Sequence, residues 1–190
     1  KNLFENSLII YKKTLPKDHI EVAWTLANLG TVYGGLGHYK KAEKLLEQSF
    51  SIYKEAFPED RFRYAWVLTL LGDNYRSSGD YVKAKDCLEE GHKVFKELYP
   101  EDHLEMTWFS IYLGNLYREV GHYKEARIIF ERSLDVYKKH FGESHLKIAL
   151  FLLYLGDLEQ ECAQYEKAKD LLEQSLSIYK KYLPANNINI

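Results

Sequence analysis

The chain has 190 residues, 46% of them apolar and 28% charged, a balance suited to a folded protein, and no apolar run long enough to cross a membrane. Its formal net charge of −2 argues against broad nucleic-acid binding, which requires Lys and Arg gathered on one face to displace counterions from phosphate. The two cysteines, Cys87 and Cys162, suggest neither a disulfide framework nor a metal pair; they read as small buried hydrophobes, and with no secretory signal at the start the expected compartment is reducing and cytoplasmic.

A unit of 42 residues recurs without insertion, starting at His19, Arg61, His103 and His145. A fixed period of this size signals stacked supersecondary units. The expected organisation is one array over 1–190, with full repeats at 19–60, 61–102, 103–144 and 145–186. Residues 1–18 align with the second half of a repeat, so they read as a second helix without its partner, and 187–190 read as the start of a further repeat or a tail. Both ends suggest a piece cut from a longer array.

Within each repeat the first helix carries apolar residues at helical spacing, Val22, Leu26, Leu29 and Tyr33 in one unit and Tyr64, Leu68, Leu71 and Tyr75 in the next. Asp18, Asp60, Asp102 and Ser144 are the expected N-caps, and Asp18 with Glu21 and Asp102 with Glu105 have capping-box spacing. Gly37, Gly79 and Gly121 are placed to end these helices in the left-handed conformation; Ala163 takes that place in the last repeat, so its turn is expected to differ. The second helix runs from about Tyr39 to Phe57, and Pro58, Pro100 and Pro184 bar continuation at its equivalent ends. Gly30, Gly72, Gly114 and Gly156 sit inside first helices, where each costs about 1 kcal/mol relative to Ala. A cost incurred at one position of every repeat implies close packing, with Ala42, Ala84, Ala126 and Ala168 as small partners. Tyr39, Tyr81, Tyr123 and Tyr165 are expected to wedge between helices.

The pattern Leu26, Leu29, Gly30, Tyr33, Ala42, Leu46, Ser49 and Pro58 resembles the tetratricopeptide repeat, lengthened by about two helical turns. The junctions PKDHIEVA (16–23) and PEDHLEMT (100–107) look like the 42-residue repeats of kinesin light chains. The fourth repeat departs most, with Glu159 in place of the first-helix tyrosine. The resemblance implies an all-α fold: an α-solenoid of antiparallel helix-turn-helix repeats coiled as a right-handed superhelix. It further implies a protein–protein interaction scaffold whose concave groove, lined by first helices, holds a peptide or helix of a partner. The position at which kinesin light chains hold peptide backbone with asparagine carries Ala27, Thr69, Ile111 and Leu153 here.

Carried onto this sequence, the groove positions include Trp24, Asn28, Trp66, Asp73, Arg76, Trp108, Tyr112, Asn115, Arg118, Tyr154 and Asp157. The three tryptophans share one repeat position and read either as a ladder of aromatic anchors or as packing on the preceding second helix. Arg76 and Arg118 are suited to a partner's carboxylates or to salt bridges with Asp73 or Glu119, and Asn28 and Asn115 to a ligand backbone. The histidines are spread by the period itself, and no phosphate loop, nucleophile motif or short metal-ligand spacing occurs, so neither an enzyme nor a cofactor is expected. Two other roles fit the same features: a regulatory or sensor arm of a larger effector, ATPase or transcriptional regulator, and an array that self-associates end to end.

Overall fold

The computed structural model describes residues 2–182 and folds them into α-helices: α1 (Asn2–Thr14), α2 (Ile20–Gly35), α3 (Tyr39–Ala56), α4 (Arg61–Ser78), α5 (Tyr81–Leu98), α6 (Leu104–Glu119), α7 (Tyr123–Phe141), α8 (Leu146–Glu161) and α9 (Tyr165–Tyr182). No strand occurs among the described residues, and none of their helices is long and apolar enough to cross a membrane. Pro184, Ile188 and Ile190 lie outside the described residues.

The chain forms two compact units that part between Tyr99 and Pro100. In the first, α2 pairs with α3 and α4 with α5, while α1 lies on α2 and α3 also packs on α4. In the second, α6 pairs with α7 and α8 with α9, and α7 also packs on α8. α3 and α7 thus each serve two first helices, their own and the next, which is why their apolar stripes are broad. One core cluster of the first unit gathers Leu8, Val22, Leu26, Leu29, Tyr33 and Ala42. In the second, Phe130, Tyr137, Phe151 and Leu155 meet Ile178 of α9. Ser49 and Ser175, both buried, donate across their hairpins to the carbonyls of Ala23 and Ala149 at 2.7 Å each.

The helical glycines mark the closest approach within each hairpin. A Cβ at Gly30 would lie 2.7 Å from Leu46 Cγ and 3.3 Å from the Ala42 carbonyl oxygen, and one at Gly156 would lie 2.7 Å from Leu172 Cδ2. The space is therefore taken by the large side chain one turn beyond the small alanine, with the alanine backbone just behind it.

Helix starts depart from the expected caps. His19, His103 and His145, not Asp18, Asp102 and Ser144, are the N-caps: each is extended, and its Nδ1 accepts the N–H of Glu21, Glu105 or Lys147. The cause is the preceding turn, seen where the His19 and His103 N–H groups bond back to the carbonyls of Pro16 and Pro100 and place the helix one residue later. The expected capping boxes do not form. Only in the second repeat, where Arg61 replaces histidine, does Asp60 cap the helix as expected, accepting from the Arg63 N–H at 3.1 Å.

The last turn also overturns its expectation. Ala163 adopts φ 57°, and the bonds Ala163 N–H to Gln160 O and Gln164 N–H to Glu159 O repeat those at Gly37, Gly79 and Gly121. The hydrogen-bonded turn holds the alanine left-handed because both bonds require that geometry. Tyr81 and Tyr165 do not wedge between helices; they stand exposed at the starts of α5 and α9, Tyr165 by 67%.

Candidate functional site

First helices present the residues picked out from sequence, and each unit places its own set. On α2, Trp24 is 40% exposed, the Arg63 guanidinium lies 6.0 Å from its ring centroid, and its carbonyl accepts from the Asn28 side-chain amide at 2.8 Å. On α4, Trp66 is half-buried and stacks on Phe62, one turn earlier, with centroids 6.4 Å apart. Arg76 is paired to Asp73 through two of its nitrogens, at 2.7 and 3.1 Å. Ala27 and Thr69, groove positions by the resemblance, are buried instead.

In the second unit, Trp108 and Tyr112 lie one turn apart on α6 with ring centroids 5.0 Å apart, both half-buried. Arg118 reaches Glu161 of α8 at 2.6 Å, a carboxylate one repeat on. Beside it, Asn115 Oδ1 and Arg118 Nε are buried without a hydrogen-bond partner. Tyr154 is committed to packing, stacked on Phe130 of α7 at 5.2 Å; Asp157 is half-buried.

Among the ionisable groups, burial pushes the Cys87 thiol up to about 11, aided by Glu90 and Asp86, so it is a poor nucleophile at neutral pH. Cys87 and Cys162 are both free and half-buried. Among the described residues no group of three His, Cys, Asp or Glu is placed to hold a metal ion.

A second polar feature lies at the tip of the second unit. Glu159 on α8 is 1% exposed, and it receives Arg127 of α7 at 2.8 Å and Lys167 of α9 at 2.6 Å. Sequence reading noted Glu159 only as a departure from the repeat. The two cations were legible as its partners once α7 and α9 were known to flank α8.

Repeated antiparallel hairpins, joined within each unit by a second helix that also packs on the next first helix, define a helical-repeat solenoid. The sequence profile of the tetratricopeptide repeat matches residues 1–55 and 104–181, and the chain belongs to that family. Its fold is the kinesin-light-chain type: the nearly identical TPR-like repeats of a candidate kinesin light chain from Podosopora anserina superpose with a TM-score of 0.77 at 23% identity, over 95% of this chain and 85% of that one. BtubC (BKLC) from P. vanneervenii gives a TM-score of 0.81 at 18% identity, over 99% and 75%. Aspartyl phosphate phosphatase F from Bacillus subtilis gives 0.76 at 15% identity, over 98% of this chain and 46% of that one. No curated protein sequence matches the chain.

Proposed function

We propose that the chain is a protein–protein interaction scaffold, a non-enzymatic one, that takes a peptide or helix of a partner protein on the exposed faces of its first helices. The observation that carries this reading is on α6: Asn115 Oδ1 and Arg118 Nε are buried and unpartnered, next to the half-buried Trp108 and Tyr112. Leaving such polar atoms unpaired costs about 1–3 kcal/mol each, and a polypeptide supplies both an N–H for the amide oxygen and a carbonyl or carboxylate for the guanidinium. The paired aromatics add apolar anchoring of the kind found at binding hot spots. Trp24 and Trp66, with Asn28 and the Asp73–Arg76 pair, offer a parallel set in the first unit.

The test is selection of displayed peptides on the chain, followed by binding of the selected peptides to Trp66→Ala/Trp108→Ala and to Arg118→Gln. Lost binding with unchanged helicity is the expected result. Equal binding to both variants refutes the assignment, and loss of the cooperative melt in the double variant makes the indoles core instead.

A second reading is favoured by one observation: the fold recurs within longer chains, covering 62% of RapI and 46% of aspartyl phosphate phosphatase F. On that reading the array is the regulatory arm of a larger polypeptide and its partner lies in the same chain.

A further inference from the structure

The tip of the second unit holds a cleft of about 630 Å³ between the start of α7, the end of α8 and the start of α9. It exists because the repeat changes there. In the first unit the equivalent place is filled by a tyrosine ring: Tyr33, whose hydroxyl bonds Glu5 and accepts from Lys41, and Tyr75, whose hydroxyl bonds Glu47 at 3.2 Å. Glu159 replaces the ring with a shorter side chain. The position that carries Glu43 in the first repeat carries Arg127 here, so the carboxylate arrives with a compensating cation.

That compensation overshoots. Glu159 alone is met by Arg127 and Lys167, and the other lining charges, Lys124 and Glu125, cancel. One positive charge is left over. Donors are left over as well: Arg127 Nε is buried without an acceptor, and Lys167, about half exposed, spends one ammonium proton on Glu159. The first turn of α7 adds backbone N–H groups, because its N-cap His122 makes no side-chain capping bond.

We propose that this cleft is a binding site for a carboxylate, held by Arg127, Lys167 and the first turn of α7, apart from the first-helix faces. A singly charged group neutralises the surplus cation, whereas a phosphate brings a second negative charge beside buried Glu159. The carboxylate comes either from an acidic side chain or C-terminus of a polypeptide or from a small free carboxylic acid.

The experiment follows the backbone amide NMR signals of Tyr123, Lys124 and Lys167 during titration with sodium acetate, with the blocked peptide tetraglutamate, with phosphate and with chloride, at matched ionic strength. Acetate and the peptide are expected to move these signals, with phosphate weaker and chloride inert. Tighter binding of the peptide at equal carboxylate concentration assigns a polypeptide source; parity assigns a free acid. Lys167→Gln is expected to weaken binding roughly tenfold or more, the worth of a charged hydrogen bond. Glu159→Tyr, which restores the residue of the other repeats, is expected to fill the cleft and abolish binding. Shifts that chloride reproduces, phosphate binding as tight as acetate, or binding unchanged in Lys167→Gln each overturn the proposal. Lys167 is a surface residue, so this variant keeps the test decisive if Glu159→Tyr folds poorly.

Discussion

Gly72→Ala, made alone and in a Leu88→Ala background, isolates the contact that sets how closely a hairpin closes. Propensity alone favours Ala over Gly inside α4 by about 1 kcal/mol. Packing opposes it, since the new Cβ would lie 2.5 Å from Leu88 Cγ, 2.9 Å from Cδ2 and 3.2 Å from the Ala84 carbonyl oxygen. Leu88 is fully buried and has nowhere to swing, and overpacking of this kind costs about 1–3 kcal/mol. The single substitution should therefore destabilise by roughly 1 kcal/mol, up to about 2. Leu88→Ala alone should cost about 2–5 kcal/mol, but it vacates the space the new methyl needs. Adding Gly72→Ala to it should recover about 1 kcal/mol, so the sign of the glycine substitution reverses. Urea unfolding of the four proteins, followed by far-ultraviolet circular dichroism, measures the cycle. Stabilisation by Gly72→Ala in both backgrounds would refute the close-approach argument. Equal loss in both would place the clash on the Ala84 backbone and not on Leu88.

Ala163→Gly should raise stability by about 1 kcal/mol by relieving a left-handed alanine, and Gly121→Ala should lower it by a similar amount; thermal melts compare them. Tyr53 and Tyr64 are both pushed up to about 12, burial being the largest cause in each, with a hydrogen bond to Glu90 next for Tyr64. Because these folded-state values exceed the unfolded 10.0, stability should be intact below about pH 10 and fall as pH rises towards 12, with helicity and tyrosinate absorbance changing together. Tyr53→Phe should leave stability unchanged or raise it by about 1 kcal/mol at neutral pH, since the hydroxyl it removes is buried without a partner, and should reduce the alkaline loss. His145→Ala should cost about 1–2 kcal/mol in urea unfolding, more than His19→Ala, because His145 both caps α8 and stacks on Phe141 at 4.4 Å.

Helix placement was legible because repetition averages out local ambiguity: Val22, Leu26, Leu29 and Tyr33 are buried as their spacing predicts. The caps were not, because aspartate is the stronger capping residue by composition, while the choice between Asp18 and His19 is made by the turn at Pro16. Likewise the strain of a left-handed alanine is visible in sequence, but the two local backbone hydrogen bonds that close the turn at Ala163 show only in the folded chain. At the candidate site, periodicity put Trp108, Asn115 and Arg118 on one helix face, yet only the fold shows that Arg118 reaches Glu161 and that Tyr154 is spent on Phe130. The cleft at Glu159 was hidden for the opposite reason. A single break in a repeat looks like noise until the helices on either side deliver Arg127 and Lys167 to it.

Sharing one second helix between two first helices has a mechanical consequence. Within a unit, load applied along the chain passes through successive joints in series, so each joint carries the full tension and the weakest parts first. Stretched from its ends, the first unit should peel helix by helix, as a zip does, and α1, which packs mainly on α2, has the least to hold it.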